Sequence, residues 1–143
     1  MRNTFTLGAV FGVGMLLFCG CASTPKSDLS RLQGNWAGTE IGGEKGQCRM
    51  TIEGDTIKFQ GARQGEWYVG KLTLLPKANP RQATFLVESC AFPQYINKTA
   101  KAIYKVQGNS LKIAACEPGS EMTPPAFESD SASQTRAFAF TRQ

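Results

Sequence analysis

From Gly34 to the end of the chain, apolar and polar residues alternate in short runs broken by Gly, Pro and Asn. The closing run is the most regular. Arg136, Phe138, Phe140 and Arg142 fall on one side of an extended chain, and Ala137, Ala139 and Thr141 on the other. Two aromatics on one side mark that side as buried. The same reading gives eight strand-like segments, at 35–41, 47–53, 56–61, 66–75, 83–90, 101–107, 110–116 and 135–142. Glu53-Gly54-Asp55-Thr56 and Gln107-Gly108-Asn109-Ser110 have the residue types of tight hairpin turns. Beyond the N-terminal apolar run, no segment carries a long helical period. Short strands at regular spacing predict an all-β fold, an eight-stranded up-and-down antiparallel barrel with its first and last strands side by side. Just ahead of the first strand, Ser27 can cap a short helix containing Leu29 and Leu32 on one face, with Gly34 to end it. Such a helix would plug one end of the barrel.

Inward positions sort into tiers. The lower tier holds bulky groups, among them Trp36, Ile52, Ile57, Leu74, Phe85 and Phe140. The middle tier includes Met50, Phe59, Tyr104 and Phe138. The upper tier is mostly small, with Cys48, Ser89, Ala102 and Ala115 beside Glu40, Tyr68 and Arg136. A bulky base fills a barrel of this size and a small-residue rim leaves room, so the expected object is a cup. Its walls would be Met50, Phe59, Tyr104 and Phe138, with Glu40, Tyr68 and Arg136 to orient a polar end. Glu40 is taken as the one inward acid, and an ion pair with Arg136 across neighbouring strands is the plain structural role for both. The stretch 117–134 contains Pro118, Gly119, Pro124, Pro125 and several Ser, and is long for a hairpin loop. It is either a lid over the cup or a disordered connection.

The front of the chain changes the picture of where the protein resides. Met1-Arg2-Asn3 precedes a run from Phe5 to Phe18 with no charged residue. That run is short for a membrane span and suits a signal-peptide core. The following Phe18-Cys19-Gly20-Cys21-Ala22 resembles a bacterial lipoprotein cleavage box, with small Gly20 just before Cys21. The resemblance implies a signal peptide at 1–20, lipidation at Cys21 and anchoring to the cell envelope, outer membrane facing the periplasm. Residues 21–31 then carry the lipidated Cys, a tether and the start of the helix, and 32–143 form the barrel domain.

One of the 16 Lys and Arg lies in the leader, so 15 basic residues face 11 acidic ones, a modest excess. No basic run with interleaved aromatics is present, and nucleic acid is not an expected partner. Of the five Cys, Cys48, Cys90 and Cys116 belong to the barrel, which allows one internal disulfide at most. Cys90 and Cys116 end their strands at outward parity at the upper rim, and are the expected pair. The chain has no His, which removes the usual zinc sites and the commonest general base. No metal, cofactor or catalytic residue is assigned. Gly65-Glu66-Trp67-Tyr68-Val69-Gly70-Lys71 spells a phosphate loop as far as Lys, but Leu72 follows and the residues between suit a strand.

The two ends together resemble the lipocalin (calycin) signature. Gly34-Asn35-Trp36 opens the first strand, and Arg142 of the last would lie over the Trp36 indole as a cation–π clasp. The wider domain is similar to small lipocalin-like domains of planctomycete-type bacteria, a group without an established ligand or reaction. The likeness rests on Leu32-Gln33-Gly34-Asn35-Trp36, on Met50-Thr51-Ile52-Glu53-Gly54-Asp55 and on the hairpin from Lys101 to Cys116. Cys48 and Cys90 depart from that group's pattern. The resemblance implies the barrel. The expected function is that of a membrane-anchored envelope lipoprotein binding a small hydrophobic or amphipathic molecule. The alternative is a solid barrel acting as an interaction or structural module, for which outward-facing Trp67 would be the contact.

Overall fold

A computed structural model describes residues 25–143. The signal peptide expected at 1–20 and the lipidation expected at Cys21 fall outside the described residues. A short helix, α1 (Asp28–Leu32), is capped by the Ser27 hydroxyl, which accepts from the Ser30 amide at 3.2 Å. It stops one residue earlier than Gly34 would set: Gln33 is the extended C-cap, and Gly34 already belongs to the first strand. The strands are β1 (Gly34–Glu40), β2 (Gln47–Glu53), β3 (Thr56–Gln60), β4 (Trp67–Leu75), β5 (Gln82–Cys90), β6 (Thr99–Gln107), β7 (Ser110–Cys116) and β8 (Thr135–Arg142). Each pairs antiparallel with the next, and β8 pairs with β1, so the sheet closes into an up-and-down barrel.

The core follows the alternation. Trp36, Ile52, Ile57, Leu72, Leu111 and Phe140 are buried together, and Leu32 of α1 joins them with Leu29 packed alongside. The Trp36 indole N–H donates to the Leu32 carbonyl at 2.9 Å. The Tyr104 hydroxyl donates to Asp28 at 2.7 Å, so α1 is tied to β1 and to β6.

The two tight turns set register as the sequence predicts, with Glu53 opposite Thr56 and Gln107 opposite Ser110. Elsewhere the barrel is staggered. Trp36 lies opposite Met50 and Arg142, Ile57 opposite Gly70, and Phe85 opposite Ala100. The level tiers of the sequence reading are therefore sheared, because closing a barrel requires the strands to tilt.

A bulge in β5 adds a further change. Gly70 pairs with Val87 but Val69 pairs with Ser89, which leaves Glu88 as the extra residue. Past it the parity inverts: Ser89 turns outward, and Cys90, opposite Tyr68, turns inward. The Cys90–Cys116 disulfide expected from the sequence is not formed; both thiols are free and buried. Cys116 lies one position beyond Ala115, beside Lys101, which pairs with Thr84, six residues before Cys90. Six residues of strand span ~20 Å, far beyond the reach of a disulfide. The Cys90 thiol instead meets the Phe92 carbonyl at 2.9 Å, and Cys116 lies 3.5 Å from the Thr135 hydroxyl.

Candidate functional site

The upper half of the barrel encloses a cavity of about 330 Å³. Its floor is Ile57, Leu72, Ile113 and Phe140, and its walls include Met50, Phe59, Phe85 and Phe138. Small side chains make the room: Ala83, Ala100, Ala102 and Ala115 face it from β5, β6 and β7. Polar groups gather at the mouth, where Arg63, Tyr68, Tyr95, Glu117, Asp130 and Arg136 line it. An aromatic series climbs one side. Phe140 stacks on Phe138 at 5.9 Å, Phe138 meets Phe59 edge-on at 5.1 Å, and Phe59 lies 6.2 Å from Tyr68. Phe92 and Tyr95 continue it through a single 3₁₀ turn, Pro93–Tyr95, after β5.

Of the residues expected to line the cup, Met50, Phe59, Tyr68, Arg136 and Phe138 do so. Two do not. Tyr104 lies below, in the packed layer against α1, because stagger carries β6 downward relative to β5. There, burial and the Asp28 hydrogen bond both push its hydroxyl well above the ordinary tyrosine range. Glu40 lies behind Arg136 rather than on the cavity wall, since its place on β1 is opposite Phe138.

The central polar feature is a buried triad. Arg136 Nε donates to Glu40 Oε1 at 3.1 Å and Nη2 to Glu40 Oε2 at 2.9 Å, a bidentate pair. On its other side Nη1 donates to Glu66 Oε1, and Nη2 lies 3.4 Å from Glu66 Oε2. Two glycines admit these carboxylates: a Cβ on Gly61 would fall 2.3 Å from Glu66 Oε2, and one on Gly43 2.2 Å from Glu40 Oε1. Burial alone would raise the Glu40 carboxyl, but the Arg136 hydrogen bonds and charge outweigh it and hold it below the usual range. Burial likewise opposes the Arg136 charge, and the two carboxylates overcome it and raise that group instead.

Glu66 is the member the sequence reading passed over; Glu40 is not the only inward acid. The signal was its parity, since Glu66 stands two residues before inward-facing Tyr68. Cys48, fully buried on β2, sits near this triad, and burial pushes its thiol up. Tyr95 and Phe92 gave no strand signal, because a 3₁₀ turn holds them.

At the opposite end, the Arg142 guanidinium stacks over the Trp36 ring at 4.3 Å from its centroid. Its Nη1 and Nη2 donate to the carbonyls of Gln33 and Arg31, so Arg142 also satisfies backbone acceptors at the end of α1 beside Gly34. These three residues hold the fold and do not face the cavity.

The 117–134 stretch is ordered by contacts on the outside of the barrel. Phe127 packs with Ile41 on Ile103, Ala114 and Ala137, the outward side chains of β6, β7 and β8. Its two ends alone reach the mouth, through Glu117, Pro118, Asp130, Ser131 and Gln134. It is neither a lid across the opening nor a disordered connection.

Among the described residues no cluster of His, Cys, Asp and Glu suits a metal ion. Compared with protein-family models, with curated proteins and with solved structures, the chain gives no significant match.

Proposed function

We propose that this protein is an envelope lipoprotein, anchored through Cys21, whose lipocalin-like barrel holds a small hydrophobic or amphipathic molecule. The observation that carries the reading is the cavity of about 330 Å³, apolar below and polar at its mouth. That volume falls in the range of small-molecule sites, and such sites combine apolar walls with a few placed polar groups. Met50, Phe59 and Phe138 would contact the apolar part, with Tyr68 and Arg136 at the polar end. In this reading α1 is the plug of the closed end and the Trp36–Arg142 clasp is the calycin feature. The anchor would keep the barrel close to a membrane, a source of amphiphiles.

Native mass spectrometry after gentle extraction from a bacterial envelope is expected to show a bound small molecule that organic solvent releases. Ala115→Trp, which fills the cavity from β7, is expected to reduce occupancy at least about tenfold. A wild-type protein that emerges empty and takes up nothing from a lipid extract would refute the proposal. The alternative, an outer-face interaction module, has exposed Trp67 in its favour, at 42 % accessibility. It calls for a solid barrel, and the cavity of about 330 Å³ counts against that premise.

A further inference from the structure

We propose that the cavity selects an amphiphile with a neutral, hydrogen-bond-accepting head group and discriminates against carboxylates, because Glu40 and Glu66 already occupy the cationic wall residue Arg136. This rests on the ligand-binding reading above and specifies its ligand class.

A guanidinium offers five N–H donors. In Arg136, Nε–H and one Nη2–H serve Glu40, while one Nη1–H and the other Nη2–H serve Glu66. One Nη1–H is left for a ligand. A free guanidinium would bind a carboxylate through two parallel donors, and here that fork is already filled. The formal charge of the cluster is one positive against two negative, so an arriving carboxylate meets net repulsion in surroundings that screen it poorly. The remaining charges at the mouth do not reverse this. Glu117 and Asp130 are acids, and Arg63 lies 3.9 Å from Glu44.

The second free group is Tyr68. It lines the cavity, and its hydroxyl has no hydrogen-bond partner among the described residues. Like any tyrosine its hydroxyl is protonated at neutral pH and available as a donor, and burial first, then the charge of Glu66, push its titration further up. The Tyr95 hydroxyl is already committed to Glu117. Two lone donors without spare positive charge match an ester, amide or alcohol oxygen. A quaternary ammonium head offers no acceptor to the Tyr68 hydroxyl or to the remaining Nη1–H of Arg136, and leaves both donors unpaired.

The test compares probes of one chain length on the full barrel domain at neutral pH: monolaurin, dodecanoate and dodecyltrimethylammonium, each below micelle formation. Monolaurin is expected to bind about tenfold or more tighter than either charged probe. Glu66→Gln removes one negative charge and is expected to strengthen dodecanoate binding about tenfold with little change for monolaurin. Tyr68→Phe, which keeps the ring, is expected to weaken monolaurin several-fold. Equal or tighter binding of either charged probe by the wild type overturns the head-group inference while the ligand-binding reading stands. So does a Glu66→Gln variant that folds and gains nothing for dodecanoate. Failure of all three probes to bind overturns the head-group inference, and the lipid-extract screen then decides the ligand-binding reading.

Discussion

Arg136 carries its charge between two side chains that water barely reaches, Glu40 at 3 % and Glu66 at 1 % side-chain exposure. Such a cluster tolerates loss of an outer member better than loss of its centre. Arg136→Met leaves two buried carboxylates facing each other without a counter-charge. The expected cost is ~3–5 kcal/mol, the range for breaking a buried ion pair from one side. Glu66→Gln keeps the Glu40–Arg136 bidentate pair and a polar group, and should cost only ~1–2 kcal/mol. Urea melts of both variants check the order. Acidification separates the causes: protonation removes the repulsion between the two unpaired carboxylates of Arg136→Met, so the deficit should shrink as the pH falls. An unchanged deficit at mildly acidic pH would assign it to packing instead. The Glu40–Arg136 pair was legible in the sequence, because both sit at inward parity on rims of neighbouring strands. Glu66 was legible by the same parity, since it opens the 66–75 segment two residues before Tyr68, but at the very start of a strand one residue of alternation carries little weight.

The connection from β7 to β8 behaves as an element, although it has no regular secondary structure. Its anchors are spread along it: the Gly119 amide donates to the Thr99 carbonyl at 3.0 Å, Lys101 pairs with Glu121 at 3.2 Å, and the Ser129 amide meets the Ile41 carbonyl at 3.3 Å. Phe127 supplies the apolar contact. Phe127→Ala should destabilise the protein by ~1–3 kcal/mol, the burial worth of such a side chain. It should also expose the strap to limited proteolysis at 120–130 while the barrel resists. Cleavage no faster than in the wild type would mean that the polar anchors hold the strap alone. Proline and serine content made this stretch look like a lid or loose chain. The opposing signal was on the strands: Ile103, Ala114 and Ala137 are apolar at outward positions on three consecutive strands. An apolar patch on the outside of a sheet needs a cover.

Strand number, order and closure could be read from alternation and from two short turns, since period and turn chemistry are local properties. Stagger could not, because tilt is a property of the closed sheet and no single segment encodes it. That is why Tyr104 lies in the packed layer over α1 and not on the cavity wall, and why Cys90 and Cys116 stand too far apart along the sheet to bridge. The three tyrosines now occupy three levels of one molecule: Tyr104 at the base, Tyr68 on the cavity wall and Tyr95 at the mouth. Each is raised. Burial pushes Tyr68 up to about 12, and the hydrogen bond to Glu117 pushes Tyr95 up to about 12. Tyr104 goes higher, through burial and Asp28. In the unfolded chain all three titrate near 10. Below that value both states hold the same protons, and the tyrosines' stabilising contribution is fully present. Between about 10 and 12 the unfolded chain sheds protons that the folded one retains, so stability falls as the pH rises. Tyrosinate absorbance should therefore stay flat through pH 10 while the β-sheet circular dichroism persists, and both should then change together toward pH 12. A third of the absorbance appearing near pH 10 with the sheet signal intact would release one tyrosine from its assigned place. Tyr68→Phe would then show whether that tyrosine is the one on the cavity wall.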